Sequence, residues 1–140
     1  MQDTRESRKK GTYDLEALEE VISALKMASN GGAVVIVEGL RDEKSLRDLG
    51  IEGPVIMASR RPALDLAEGA ARRYSEVVIL TDWDEKGDEM AYNLKRHLRS
   101  AGARFDVDIR GRIRSLVKKE IKDVESLSRY VEKMRENYGS

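Results

Sequence analysis

VVILTDWDEKGDEMA, residues 77–91, is a β-branched run that stops on two aspartates and turns at a glycine into a helical pattern. Val77 to Leu80 are apolar without a break and read as a strand buried on both faces, the type found in parallel sheets. Asp82, Asp84 and Gly87 then fall beyond the strand's carboxyl end, where open α/β sheets bind their ligands. Working outward, VVIVEGLRDEKSL at 34–46 has the same shape: a buried-type run, then Glu38, Gly39 and Asp42, then a helix. If these two strands are neighbours, carboxylates from both meet at one sheet edge.

The flanking sequence supplies the rest of such a sheet. Leu15, Leu18, Val21, Ile22 and Leu25 recur at helical spacing, with Asp14 the expected N-cap and Asn30-Gly31-Gly32 the stop. Residues 1–12 are polar and are expected to be flexible. Strands are expected at Ala33–Val37, Pro54–Ala58, Val77–Thr81 and Ala103–Ile109, the last alternating and therefore at an edge. Helices are expected at 41–49, Pro62–Tyr74 and Lys86–Ser100, then from about Arg112 onward. Strands that alternate with helices imply βαβ units with right-handed crossovers. The expected class is α/β: a three-layer α/β/α, Rossmann-like domain over 13–140 with a four-stranded, mostly parallel sheet. Its core spans about 33–110, a C-terminal helical extension covers 111–138, and the first and third strands lie side by side.

Composition narrows the chemistry. The 26 basic and 26 acidic residues of this 140-residue chain cancel, so a nucleic-acid role must rest on local patches. Cysteine is absent, which excludes disulfides, thiolate metal sites and cysteine nucleophiles. The single histidine, His97, falls within the third helix of the αβ array, away from the acidic edge. No apolar run reaches the roughly 20 residues of a membrane span, and the polar N-terminus lacks a signal core, so a cytoplasmic protein is expected.

Glu38, Asp82 and Asp84 brought together would repel, since like charges 4 Å apart cost about 4 kcal/mol at an effective dielectric of 20. They must hold a cation, recruit a basic neighbour or protonate one member. An all-oxygen donor set selects magnesium, manganese or calcium over zinc. Magnesium keeps several waters and can neutralise a phosphodiester; Glu38, one strand away, suits a general acid or base. Gly39 is read as a sharp turn off the strand, and Gly87 as a helix start whose N–H groups can approach an anion. Arg60 and Arg61 after the second strand, Lys86, and Arg110 and Arg112 after the fourth are candidate phosphate contacts in a basic zone that runs from Lys95 to Lys119. Trp83, between the aspartates, is read as packing under the loop in preference to stacking on a base. Val124, Leu127, Val131 and Met134 form one face of the last helix, read as core cover, with a dimer contact the alternative.

The pair E-G-x-x-D (Glu38, Gly39, Asp42) and D-x-D-x-x-G-x-x-x-A (Asp82, Asp84, Gly87, Ala91) resembles the Toprim signature. That family comprises the catalytic modules of type IA and type II topoisomerases, bacterial primases, OLD-family nucleases and the ribonuclease that matures 5S ribosomal RNA. The likeness covers roughly residues 33–110, and the C-terminal KDVESL resembles small stand-alone Toprim proteins. It implies Glu38 as general acid/base and Asp82 and Asp84 with it at a magnesium site, manganese being possible. Asp42 and Gly39 belong with the candidate substrate contacts. It further implies phosphodiester chemistry on DNA or RNA by a small nuclease, with a homodimer or protein partner open. The alternative is a non-catalytic nucleic-acid-binding or scaffold module in RNA processing, replication or repair. Without cysteine there is no primase-type zinc domain, and none of Tyr13, Tyr74, Tyr92, Tyr130 and Tyr138 is marked as a topoisomerase nucleophile.

Overall fold

The computed structural model describes residues 4–139. In chain order the elements are α1 (Thr4–Asn30), β1 (Val34–Val37), α2 (Leu40–Asp48), β2 (Val55–Met57), a 3-10 turn (Ala58–Arg60), α3 (Ala63–Arg73), β3 (Val77–Ile79), α4 (Glu85–Ser100), β4 (Phe105–Asp106), α5 (Asp108–Val117) and α6 (Leu127–Tyr138). The strand order is β2-β1-β3-β4 and every pair is parallel. Winding reverses between β1 and β3, which the register pairs as Val34 with Val77 and Ile36 with Ile79. Both strands therefore end level, one on Glu38 and the other just short of Asp82.

Side chains alternate across this sheet and seed two cores. Val34, Ile36, Val77 and Ile79 face α3 and α4, meeting Leu66, Ala70, Leu94 and Leu98. Val35, Val37, Val78 and Leu80 face the other way, toward Leu18, Val21 and Leu25 of α1, Ile109 and Ile113 of α5, and Leu127 and Val131 of α6. These are the three layers expected. Leu127 and Val131 of α6 are fully buried, so that face is core cover; Val124 is buried too, but it lies in the non-helical segment 118–126 that interrupts the expected C-terminal helix, and Met134 is only partly buried. Among the described residues no helix is long and apolar enough to cross a membrane.

Two boundaries differ from expectation. Helix α1 begins at Thr4, so residues 4–12 are helical and Asp14 lies inside the helix, not at its cap. The cause is tertiary: Gly11 is buried against the Tyr138 ring of α6, where any Cβ would collide. Residues 1–3 lie outside the described residues. The fourth strand keeps only Phe105–Asp106, because Asp106 accepts the Ile109 N–H at 3.0 Å and starts α5 there. Ile109 and Arg110 are consequently helical.

Candidate functional site at the carboxyl edge of β1 and β3

The parallel register sets Glu38 beside the end of β3. Its Oε2 accepts the backbone N–H of Asp82 at 2.8 Å, a bond between residues 44 positions apart. The Asp82 side chain turns the other way along the chain: Oδ1 accepts the Val124 N–H at 2.9 Å. Burial pushes the Asp82 carboxyl up to about 7, the Val124 N–H opposes this, and the charges of Asp42 and Glu38 and a hydrogen bond with Glu38 push it further up. Of the three ways out of crowded negative charge, the cation-free site therefore leans toward protonation, at Asp82.

Asp84 does not join this pair. It is the exposed N-cap of α4, and its Oδ1 accepts the Gly87 N–H at 2.7 Å. Its other oxygen has no protein partner among the described residues. No three Asp, Glu or His side chains among the described residues are close enough to hold a metal by themselves. The expected three-way convergence is thus a two-way one, Glu38 with Asp82, and Asp84 stands beside it. This set still fits a hard cation: every donor is oxygen, the raised Asp82 carboxyl marks crowded negative charge that a cation would relieve, and magnesium needs only one or two carboxylates with water. Glu38 and Asp82 would hold it, with the outer oxygen of Asp84 next nearest in the chain.

The glycines work differently from their expected roles. A Cβ on Gly87 would run into the backbone carbonyl of Asp82, so glycine lets the helix start press against the strand end. Its N–H is spent on Asp84 and so is not free for an anion, and its carbonyl accepts the Thr81 hydroxyl at 2.8 Å. Gly39 has extended backbone (φ −152) and a Cβ there would meet nothing, so no turn requires it. Asp42 is buried and accepts the Gly39 N–H at 3.0 Å, closing the first turn of α2. Burial raises its pKa, and a carboxyl so placed fastens the loop and is no phosphate ligand.

Arg110 also moves from its expected role. Carried inward by α5 and only 9% exposed, it donates through Nε to the Thr81 carbonyl (2.9 Å), and through Nη2 to the Asp82 carbonyl (2.6 Å) and Asp88 Oδ1 (2.6 Å). Its planar fork is filled from beneath the loop and is not free for phosphate. Arg114 reaches the same Asp88 oxygen at 3.4 Å, while Arg112 falls on another side of α5. Trp83 is buried, as expected. Its ring N–H donates to the Ile121 carbonyl (2.8 Å) and its backbone N–H to that of Lys122 (3.2 Å). Thr81, Asp88, Ile121 and Val124 escaped sequence reasoning. Only Asp88 left a signal, as an acid one turn beyond Asp84 facing a later arginine-rich helix.

Arg60 and Arg61 are exposed at the same sheet edge, where the Ser59 N–H donates to the Glu38 carbonyl at 3.1 Å. Lys86 is exposed on the first turn of α4 and shares with Arg61 and Asn93 a cleft of about 380 Å³. His97 lies in the last turn of α4, at the opposite end from Asp84.

This edge can be set beside known proteins. A family profile described as the Toprim domain matches residues 33–112, more than half of the chain. The chain belongs to the Toprim family. Such a domain points to metal-dependent nucleic-acid chemistry in general. Among its relatives, a UPF0292 protein of Methanosarcina barkeri is 47% identical over 121 residues, 86% of this chain and 85% of that one. A UPF0292 protein of Methanosarcina acetivorans is 43% identical over 125 residues, 89% of this chain and 87% of that one. In solved structures, a putative protein from Aquifex aeolicus superposes with a TM-score of 0.66 at 32% identity, covering 78% of this chain and 96% of that one. The Toprim match ends at Arg112, short of the Ile121 and Val124 groups that fasten Trp83 and Asp82.

Proposed function

We propose that this Toprim protein is a magnesium-dependent nuclease acting on DNA or RNA. The observation that carries this reading is the Glu38–Asp82 pair: two carboxyl groups at the switch point of a parallel sheet, Glu38 bonded to the Asp82 backbone N–H, with crowded negative charge that a cation would relieve. Glu38 and Asp82, with Asp84 beside them, hold magnesium or manganese, and Glu38 doubles as the general acid/base. The bound cation supplies charge neutralisation at the phosphodiester. As the water oxygen bonds to phosphorus, Glu38 takes the water's proton. The ester P–O bond breaks, and the leaving oxygen is protonated from Glu38 or bulk water. Trp83 and Arg110 touch no substrate in this scheme; they hold the backbone from which the carboxylates project.

One observation favours a second reading, a binding or scaffold module without turnover: Asp84 is spent as a helix cap, and among the described residues no three acids cluster to hold a metal. A panel of single- and double-stranded DNA and RNA, incubated with magnesium or manganese beside Glu38→Gln and Asp82→Asn, separates the two. Cleavage by the native chain that both variants lose supports the nuclease. Salt-sensitive binding with no turnover, indifferent to either substitution, supports the module.

A further inference from the structure

A groove of about 650 Å³ runs between edge strand β2 and helix α3. Its walls carry Arg60 and Arg61 at one end and Arg72 and Arg73 at the other, against Asp65 and Glu68. The strand β2 pairs only with β1, so its outer edge is open to this groove. None of the four arginines makes an ion pair or a side-chain hydrogen bond to another described residue. A basic residue in the last turn of α3 complements the helix dipole. The dipole does not explain why Arg72 leaves Glu68, one turn back at the favoured spacing, without a partner. By contrast, Arg47, Arg110, Arg114 and Arg135 all hold carboxylates.

We infer that this groove binds a single-stranded nucleic-acid chain and leads it to the Glu38–Asp82 edge, an inference that rests on the proposed nucleic-acid chemistry. Geometry selects the ligand. Helix α3 separates the two arginine pairs by its length, 11 residues or about 16 Å at the helical rise. One nucleotide cannot answer both pairs, whereas a chain with regularly spaced phosphates can. Guanidinium groups bind phosphate in either nucleic acid without reading sequence. Tyr74 lines the groove beside Arg73 and offers a half-buried ring to an unpaired base; a duplex has no free base face to place there. The polarity follows from the sheet. Arg60 and Arg61 leave β2 at the end where the Ser59 N–H holds the Glu38 carbonyl, so one end of the groove opens beside the acidic pair and the other lies a helix length away.

The test is fluorescence anisotropy in EDTA, where turnover cannot confuse binding. It uses labelled single-stranded DNA and RNA of about 12 nucleotides, within the range of common single-strand sites, with mononucleotide as competitor. Arg72→Ala/Arg73→Ala is compared with Arg8→Ala/Lys9→Ala, exposed basic residues of α1 outside the groove. The groove variant is expected to lose about tenfold or more in affinity at about 0.1 M salt. Its log K against log salt should flatten by about 1.4, the yield of two lost phosphate contacts on a single strand. The control should stay within about twofold, and mononucleotide should not compete. Native binding that Arg72→Ala/Arg73→Ala leaves unchanged in affinity and salt slope overturns the groove while the proposed chemistry stands. No binding by the native chain to any strand overturns both.

Discussion

Glu38 Oε2 accepts the backbone N–H of Asp82 at 2.8 Å, so the proposed acid/base residue is fixed by the residue proposed to hold the metal. Glutamine keeps an oxygen that can accept the same N–H but cannot take up a proton. Glu38→Gln should therefore melt within about 1 kcal/mol of the native chain, the scale of one hydrogen bond. Cleavage should fall by about 10²- to 10⁴-fold, the range for a lost general acid/base. Calorimetry and a gel assay on the same preparation check both halves. Undiminished cleavage by this variant would remove Glu38 from the chemistry.

Asp82 makes the stability of the cation-free protein depend on pH in an unusual direction. Its folded pKa, pushed up to about 7, lies above that of an ordinary aspartate, 3.8, so between those values the folded state holds the extra proton. The stabilisation is fully present below about pH 4 and is lost as pH rises to about 7. A half-exposed group is screened, so the loss is about 1–2 kcal/mol and not the full shift. In EDTA, the melting temperature of the native chain should fall from pH 5 to pH 8 relative to Asp82→Asn. Magnesium should restore more stability at pH 8 than at pH 5. Equal magnesium effects at both pH values would place the cation away from Asp82.

Arg110 holds two carbonyls at the end of β3 and one oxygen of Asp88. Removing it strands two backbone carbonyls and leaves the part-exposed Asp88 carboxylate to Arg114 alone. Arg110→Ala should cost about 3 kcal/mol in urea unfolding, the low end for breaking a buried pair. Arg110→Lys restores the charge but not the fork. It should recover part of the stability while magnesium-dependent cleavage stays depressed through kcat with KM little changed. Full recovery of kcat by lysine would show that charge alone suffices.

Trp83 fastens the loop to residues 121–122 by two hydrogen bonds, one of them from the ring. Trp83→Phe keeps the packing and loses the ring donor, for about 1 kcal/mol. Trp83→Ala empties the site as well, for about 3–5 kcal/mol. Amide exchange at Val124 should accelerate in both. Protection at Val124 unchanged in Trp83→Ala would show that the loop is held without Trp83.

The centre of the sheet was legible because β1 and β3 are short, β-branched and buried on both faces, and each is followed by an acidic turn that contains a glycine. Glu38 and Asp82 were legible for the same reason: a parallel register leaves little choice about what stands beside a strand end. Local chemistry hid the rest. In RFDVDIRGRI the alternation of Phe105, Val107 and Ile109 competes with the helical spacing of Ile109, Ile113 and Val117. The cap from Asp106 decides in favour of the helix, and Arg110 turns inward with it. Residues 4–12 show too little apolar periodicity to announce a helix; their order comes from Tyr138, more than a hundred positions away. Asp84 could be a ligand or a cap on sequence alone, and its bond to Gly87 is the cap.

The bond from Val124 to Asp82 spans 42 positions toward the carboxyl end. During synthesis the signature segment emerges well before the backbone that restrains it. Domains fold as units, N-terminal parts first, yet here the latch is made last. A nascent or prematurely ended chain that stops at Arg112 would display every hallmark acid and still lack the amide and carbonyls that pin Asp82 and Trp83. The proposed chemistry of the acidic edge thereby depends on the segment around Val124, which lies beyond the signature.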